Sequence, residues 1–391
     1  MEILFGVSVL WIGYIYIGYP CCLWLLGLVH RFTPRMQDDF LPRVSVLISA
    51  RNEERDIGWK VVETLSWDYP PNRLELLVAS DASEDRTDEI LQCLREPRLI
   101  SARMNERVGK NEALNWLSKL ATGDLLFFTD ANSHIDRGCL RRMVRYFADP
   151  RVGCVTGAER STNEDQKVAV VSGVGTYLGY ESWIKRLESK LGSVLVCDGS
   201  IFCIRRELYT QLQPDLANDF ELPVKAGSQG YALLYEPGAW SFEKATNSFP
   251  EEFHRKRRIC AQGALGFWRL RKGLRGLRAW QFVSRKLLCW LALIPFALLL
   301  ASSAWLASSP VFRFVLMLQL VFYAVALAGW WLSSRGQLAR RLVGLPFYFL
   351  LIDVAALTGV VESCFGQRFD VWEIASHSRG HETTTAEVGR Q

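Results

Sequence analysis

Residues 44–50, VSVLISA, form a short apolar run rich in Val and Ile that breaks off into Arg51-Asn52-Glu53-Glu54. A run of this length and composition reads as a buried β-strand. A helical stretch follows to about Leu65. LELLVAS, residues 74–80, then repeats the pattern and ends in Asp81-Ala82-Ser83-Glu84-Asp85. A helix from about Asp85 to Leu94, the run DLLFFT at 124–129 and a further apolar run at 152–158 continue the alternation. Strands alternating with helices predict an α/β fold, a mainly parallel sheet covered by helices. In such sheets ligands bind beyond the carboxyl ends of the strands.

The residues ending these strands therefore carry the chemistry. Taken singly, polar residues at strand ends make turns and helix caps. Three clusters on one edge point instead to a ligand site: Ser49 to Glu54, Ser80 to Asp85, and Asp130-Ala131-Asn132. Asp130 and Asn132 put two oxygen-bearing side chains two residues apart on a tight turn. A hard cation, Mg²⁺ or Mn²⁺, takes such ligands and shares them with substrate phosphates. Val108-Gly109-Lys110-Asn111 opens a helix, where Lys110 adds positive charge for a phosphate. Asn218-Asp219-Phe220-Glu221 opens another. Asp219 there is an N-cap or a general base towards a hydroxyl.

Apolar stretches flank this middle. Ile3 to Val29 is long enough to cross a hydrocarbon core of about 30 Å, and His30, Arg31 and Arg35 follow it. That asymmetry places the N-terminus outside and residue 30 onward in the cytosol. Leu287–Ser308, Phe314–Leu332 and Leu342–Cys364 are three further spans, with basic flanks at Arg285/Lys286 and Arg335/Arg340/Arg341. The last contains Pro346, Asp353 and Glu362, so it is a full span or a re-entrant hairpin; four spans with an outside tail is the simpler count. An ionisable residue such as Asp353 in an apolar stretch points to function.

The chain has 391 residues, 49% hydrophobic, with a mean hydropathy of +0.06 and a formal charge of +5. That charge is unevenly spread: Phe253 to Ile352 holds 15 Lys and Arg and no Asp or Glu. Such a distribution excludes disorder, a collagen-like fibre and a single water-soluble globule. The ten cysteines show no metal-ligand spacing and no disulfide framework. Two amphipathic stripes suit a membrane surface. Tyr177, Tyr180, Ile184, Leu187 and Leu191 step by three and four, a pattern that equally fits packing on the sheet. Phe267, Leu270, Leu274 and Leu277 run among Arg271, Lys272, Arg275 and Arg278. On anionic lipid each basic residue contributes about 1 kcal/mol. Because this basic run leads directly into a span, lipid rather than nucleic acid is its expected partner.

The motifs VSVLISARNEE, WDYPPNRLELLVASDASEDRTDEI, RVGKNEALN, FFTDAN, LANDFEL and FHRKRRICAQG stand in the order and spacing of the family 2 glycosyltransferases. The chain resembles their membrane-embedded branch, which includes cellulose, chitin-oligosaccharide and hyaluronan synthases, over about residues 40–290. The resemblance implies a GT-A (Rossmann-like) domain and inverting transfer from a nucleotide sugar, a UDP-sugar in the first place, to a polysaccharide or lipid-linked glycan. By position, Asp81 matches the aspartate contacting the nucleotide base, and Arg51, Asn52 and Glu53 line the nucleoside pocket. Asp130 matches the first Asp of the metal-binding D-x-D, whose second position holds Asn132, a neutral and weaker ligand. Asp219 matches the catalytic base, and Arg258 the pyrophosphate-binding Arg of Q-x-x-R-W. The Gln and Trp of that motif are Arg255 and Ile259 here, which favours a single transfer over repeated addition. The other class to weigh is a transport or scaffold protein with an inactive transferase-like domain. The expected organisation is a transmembrane helix (1–30), a cytosolic GT-A domain (40–250), basic interfacial helices (253–286), C-terminal transmembrane helices (287–365) and a tail (366–391), in an inner or plasma membrane.

Overall fold

A computed structural model describes residues 1–161, 169–243, 248–332 and 337–368. Arg335 and most of the tail, 369–391, lie outside the described residues, as do the side chains of Arg340 and Arg341. Eight strands form one sheet: β1 (Val44–Ala50), β2 (Leu74–Ser80), β3 (Leu99–Arg103), β4 (Leu125–Phe128), β5 (His134–Ile135), β6 (Val152–Ser161), β7 (Phe202–Arg205) and β8 (Ala232–Glu243), in the order β3-β2-β1-β4-β7-β6-β8-β5. The helices are α1 (Glu2–Val29), α2 (Ile57–Leu65), α3 (Thr87–Cys93), α4 (Lys110–Leu120), α5 (Cys139–Val144), α6 (Ala169–Lys190), α7 (Asn218–Ser228), α8 (Phe249–Leu270), α9 (Gly276–Trp290), α10 (Leu293–Trp305), α11 (Pro310–Leu332) and α12 (Gln337–Cys364).

The half of the sheet built from β3, β2, β1 and β4 is parallel, in register from Val44 opposite Leu74 to Ala50 opposite Ser80. β1, β2 and β4 are buried on both faces, which is why they read as near-continuous apolar runs, whereas β3 at the sheet edge is largely exposed. The other half departs from the mainly parallel expectation. β7 lies antiparallel to both β4 and β6, so the sheet is mixed. The chain reverses at Asp198–Ile201 before the four-residue strand FCIR, too short a run to announce itself by period.

Among the described residues three helices, α1, Pro310–Trp331 and Gly344–Cys364, are long and apolar enough to cross a membrane; α9 with α10 makes a fourth if that bent pair is one span. The single helix expected over Leu287–Ser308 is instead broken between Trp290 and Leu293, with a bend of 58°. α12 follows α8 closely. Tyr348 Oη donates to Glu252 at 3.0 Å and Arg257 pairs with Glu362 at 2.6 Å. A Cβ at Gly359 would fall 2.2 Å from the Arg257 carbonyl oxygen, so only glycine allows this approach.

Ile184 and Leu187 of the first amphipathic stripe lie in α6 and pack on Tyr19 and Leu23 of α1. The Phe267 stripe is not one helix, because α8 ends at Leu270 and α9 starts at Gly276. Leu274 is buried with Phe220, Val224 and Phe282 against α7, while Arg271, Lys272 and Arg275 stay exposed. Arg278 turns back to donate to the Gly227 and Tyr231 carbonyls.

Candidate functional site

The turn after β4 is held from below. Lys60 of α2, fully buried, donates to the Ser133 carbonyl at 2.6 Å and pairs with Glu63 at 3.2 Å, and Glu63 accepts from the Ile135 N–H. Ser133 Oγ donates to the Asp130 carbonyl at 2.8 Å. A buried, hydrogen-bonded pair under a turn fixes it in one geometry. This platform presents Asp130 and Asn132 to a cavity of about 670 Å³ at the sheet edge.

Across the cavity, α4 brings Lys110, whose Nζ lies 2.5 Å from Asp130 Oδ1. α7 begins at Asn218 and so places Asp219 in its first turn. The Cys197 N–H donates to the Asp219 carbonyl at 3.0 Å. A Cβ at Gly199 would stand 3.1 Å from Asp219 Oδ2, so glycine leaves that carboxylate room. Burial raises the Asp219 carboxyl to about 6; Lys110 and Lys185 act against the rise, Asp198 and Asp130 add to it. A carboxyl that exchanges its proton near neutral pH follows from that balance. α8 supplies Arg258, whose guanidinium is pushed below its ordinary value by burial and by Arg255, and pulled back by Asp219 and Asp130.

Of the nine residues expected to form the site, the cavity gathers five: Lys110, Asp130, Asn132, Asp219 and Arg258. Arg51, Asn52, Glu53 and Asp81 sit elsewhere on the edge and tie its loops together. Arg51 Nη1 donates to the carbonyls of Asp81 and Ala82 at 2.7 and 2.8 Å, and Nη2 meets Glu84 at 2.7 Å. Asn52, at φ 52°, accepts from the Glu84 N–H, and the Glu53 N–H donates to Thr87 Oγ1. Both oxygens of Asp81 accept backbone N–H groups, from Val108 at 2.7 Å and Gly109 at 3.0 Å. In this arrangement Asp81 orders the loop that launches Lys110.

The cavity also holds residues that sequence reasoning passed over. Asp198 pairs with Lys185 of α6 and faces Asp219. Glu243, at the end of β8, is raised by burial and by the carboxylates of Glu159 and Asp130. Glu159 lies 3.4 Å from Arg255. The Asp-Gly pair at 198–199 was the one local signal for the first; the others meet only through the fold. Among the described residues no group of three His, Cys, Asp or Glu is arranged as a metal cage. Asp130 and Asn132 are hard oxygen donors that fit a divalent cation whose remaining ligands come from a phosphate-bearing substrate.

Residues 45–212 match the family model Glycosyl transferase family 2. A Synechocystis sp. beta-monoglucosyldiacylglycerol synthase is 37% identical over 127 residues, 32% of this chain and 26% of that protein. A poly-beta-1,6-N-acetyl-D-glucosamine synthase of Staphylococcus aureus is 25% identical over 210 residues, 52% of this chain and 50% of that one. The chain thus spans half or less of the length of these two relatives. In structure it resembles the mannosyltransferase PcManGT from Pyrobaculum calidifontis, in complex with GDP-Man and Mn²⁺, with a TM-score of 0.69, 22% identity, and coverage of 93% of this chain and 99% of that one. At that identity the likeness establishes the fold, a GT-A domain carrying apolar helices.

Proposed function

The chain carries a glycosyl transferase family 2 domain, and from that premise we propose that it is a membrane-bound inverting glycosyltransferase. Its donor is a nucleotide sugar, a UDP-sugar in the first instance, and its acceptor a polysaccharide or a lipid-linked glycan. The observation carrying this is the convergence of Asp130, Lys110, Arg258 and Asp219 on one cavity. Mg²⁺ or Mn²⁺ held by Asp130 and Asn132 would neutralise charge on the diphosphate leaving group. Lys110 and Arg258 bind the diphosphate oxygens; Lys110 exchanges Asp130 for them. Asp219 takes the proton from the acceptor hydroxyl, whose oxygen attacks the anomeric carbon from the face opposite the leaving group. One base and one electrophilic clamp suffice; a hydrolytic carboxylate pair is not needed. Arg51, Asn52, Glu53 and Asp81 form the nucleoside wall. The catalytic domain lies on the cytosolic side of an inner or plasma membrane, with the N-terminus outside.

A specific observation favours a second reading, a single transfer that makes a glycolipid. Ile259 lines the cavity where processive members carry Trp, and Arg255 is engaged by Glu159 and Glu252 at 3.4 and 3.6 Å. Incubating purified enzyme with radiolabelled UDP-sugars and membrane lipids tests both readings. Release of a nucleoside diphosphate with one sugar per acceptor is the expected result. A ladder of products would assign repeated addition, and donor left unconsumed with Mg²⁺ and Mn²⁺ supplied would favour an inactive scaffold.

A further inference from the structure

The cavity does not end at Asp219. It continues between α1, α6, α8 and α12, past Tyr16, Ile184, Phe349 and Ile352, and takes in Lys286 and Asp353. These walls belong to the helices long and apolar enough for a membrane and to those packed on them. An aqueous substrate pocket has no need of such an extension.

Two groups in it lack the partners that their surroundings call for. Asp353 is 5% exposed, and its Oδ2 has no hydrogen-bond partner among the described residues. Lys110, Lys185, Arg255 and Arg285 each stand in an ion pair with a carboxylate. Lys286 lines the same cavity and has no carboxylate within ion-pair distance among the described residues; Glu181 and Glu188 act on it only from farther off. Its neighbour Arg285 takes up both Glu181 and Glu188. Enclosed polar groups are normally satisfied, and here an unmet carboxylate oxygen and an ammonium share one cavity wall, where a single ligand can meet both. The missing partners are an anion for Lys286 and a hydrogen-bond donor for Asp353, next to apolar and aromatic surface.

We propose that this half of the cavity binds the acceptor, and that the acceptor is a phosphate-bearing membrane lipid. Its chains lie against Phe349 and Ile352, Lys286 binds the phosphate, and Asp353 accepts from a hydroxyl of the same lipid. The charge of Lys286 selects this class. A neutral glycerolipid would leave the ammonium unpaired, and a sugar polymer would leave the apolar wall uncovered. The inference rests on the transferase reading and supplies its acceptor.

Native mass spectrometry of the full-length protein, released from neutral detergent with phosphatidylglycerol or with diacylglycerol, measures the preference. Wild type is expected to hold phosphatidylglycerol at least about tenfold more tightly than diacylglycerol. Lys286→Met should lose about tenfold for phosphatidylglycerol alone, Lys286→Arg should keep the preference, and Lys119→Met, exposed at the end of α4, should change nothing. Unaltered nucleotide-sugar binding in each variant shows that it is folded. Equal affinity of Lys286→Met and wild type, equal binding of the two lipids, or displacement of the lipid by a soluble oligosaccharide would overturn the proposal. If these lipid results hold while Asp219→Asn turns over like wild type, the assigned base falls and the lipid site stands.

Discussion

Asp219→Asn is expected to lower the rate of transfer by roughly a hundred- to ten-thousand-fold, the range that a positioned general base supplies, with donor affinity nearly unchanged. The substitution keeps shape and removes only the ability to take a proton. The carboxylate sits in the first turn of α7, with its backbone held by Cys197 and space around it secured by Gly199. The same geometry fixes the pH dependence. A base must be deprotonated to act, and this one is raised to about 6 from its ordinary 3.8. In wild type kcat/KM therefore falls as the pH drops below about 6, two units above where an ordinary aspartate would lose its charge. Asp198 contributes negative charge that holds Asp219 up, so Asp198→Asn should move this limb to lower pH. Turnover of Asp219→Asn at the wild-type rate, or an acid limb near pH 4 in wild type, would contradict the assignment.

Arg285→Met is expected to cause the largest loss of stability. Arg285 donates to Glu188 at 2.5 Å and to Glu181, while Glu188 also accepts from Tyr19 Oη at 2.7 Å and from the Leu195 N–H at 3.2 Å. One guanidinium thus joins α9 to α6, and through Glu188 to α1 and to the loop before β7. Glu188 is 0% exposed and Arg285 6%. Removing the cation leaves the fully buried Glu188 without its counter-charge and Glu181 with only Lys185 and Lys286 near it, a cost of about 3–5 kcal/mol. The checking measurement is the unfolding transition in detergent. Arg285→Met should be well below wild type, Arg275→Met, at an exposed position, should stay within about 0.5 kcal/mol, and adding Glu181→Gln and Glu188→Gln to Arg285→Met should restore part of the loss. A transition unchanged in Arg285→Met would show that the network does not hold the helices to the domain.

This network also marks where sequence reading stopped. β1 and β2 were legible to the residue, because strands buried on both faces leave an unbroken apolar run that ends abruptly in polar residues. Asp130, Asn132, Lys110, Asp219 and Arg258 were legible because strand ends, helix starts and the order of motifs are local features. Glu181, Lys185 and Glu188 read as the polar side of an amphipathic helix. They are instead inside, since their partners Arg285 and Asp198 come from distant sequence or from a tight turn. No period in α6 carries that information. The cavity wall is similar: Asp353 stood out as an acid in an apolar run, but its neighbourhood with Lys286 and Tyr16 exists only once α12 lies along α8. The roles of Arg51, Asn52, Glu53 and Asp81 differ in the same way. The family resemblance implied contact with a nucleoside, and the fold shows them stitching the β1 and β2 loops into one rim.

The most direct test of the central claim is the anomeric configuration of the product, read by NMR from the coupling of its anomeric proton after transfer from a UDP-sugar of α configuration. A single base at Asp219 acting opposite the leaving group predicts a β-linked product from the first turnover onward. An α-linked product would mean that configuration is retained, and would contradict the account.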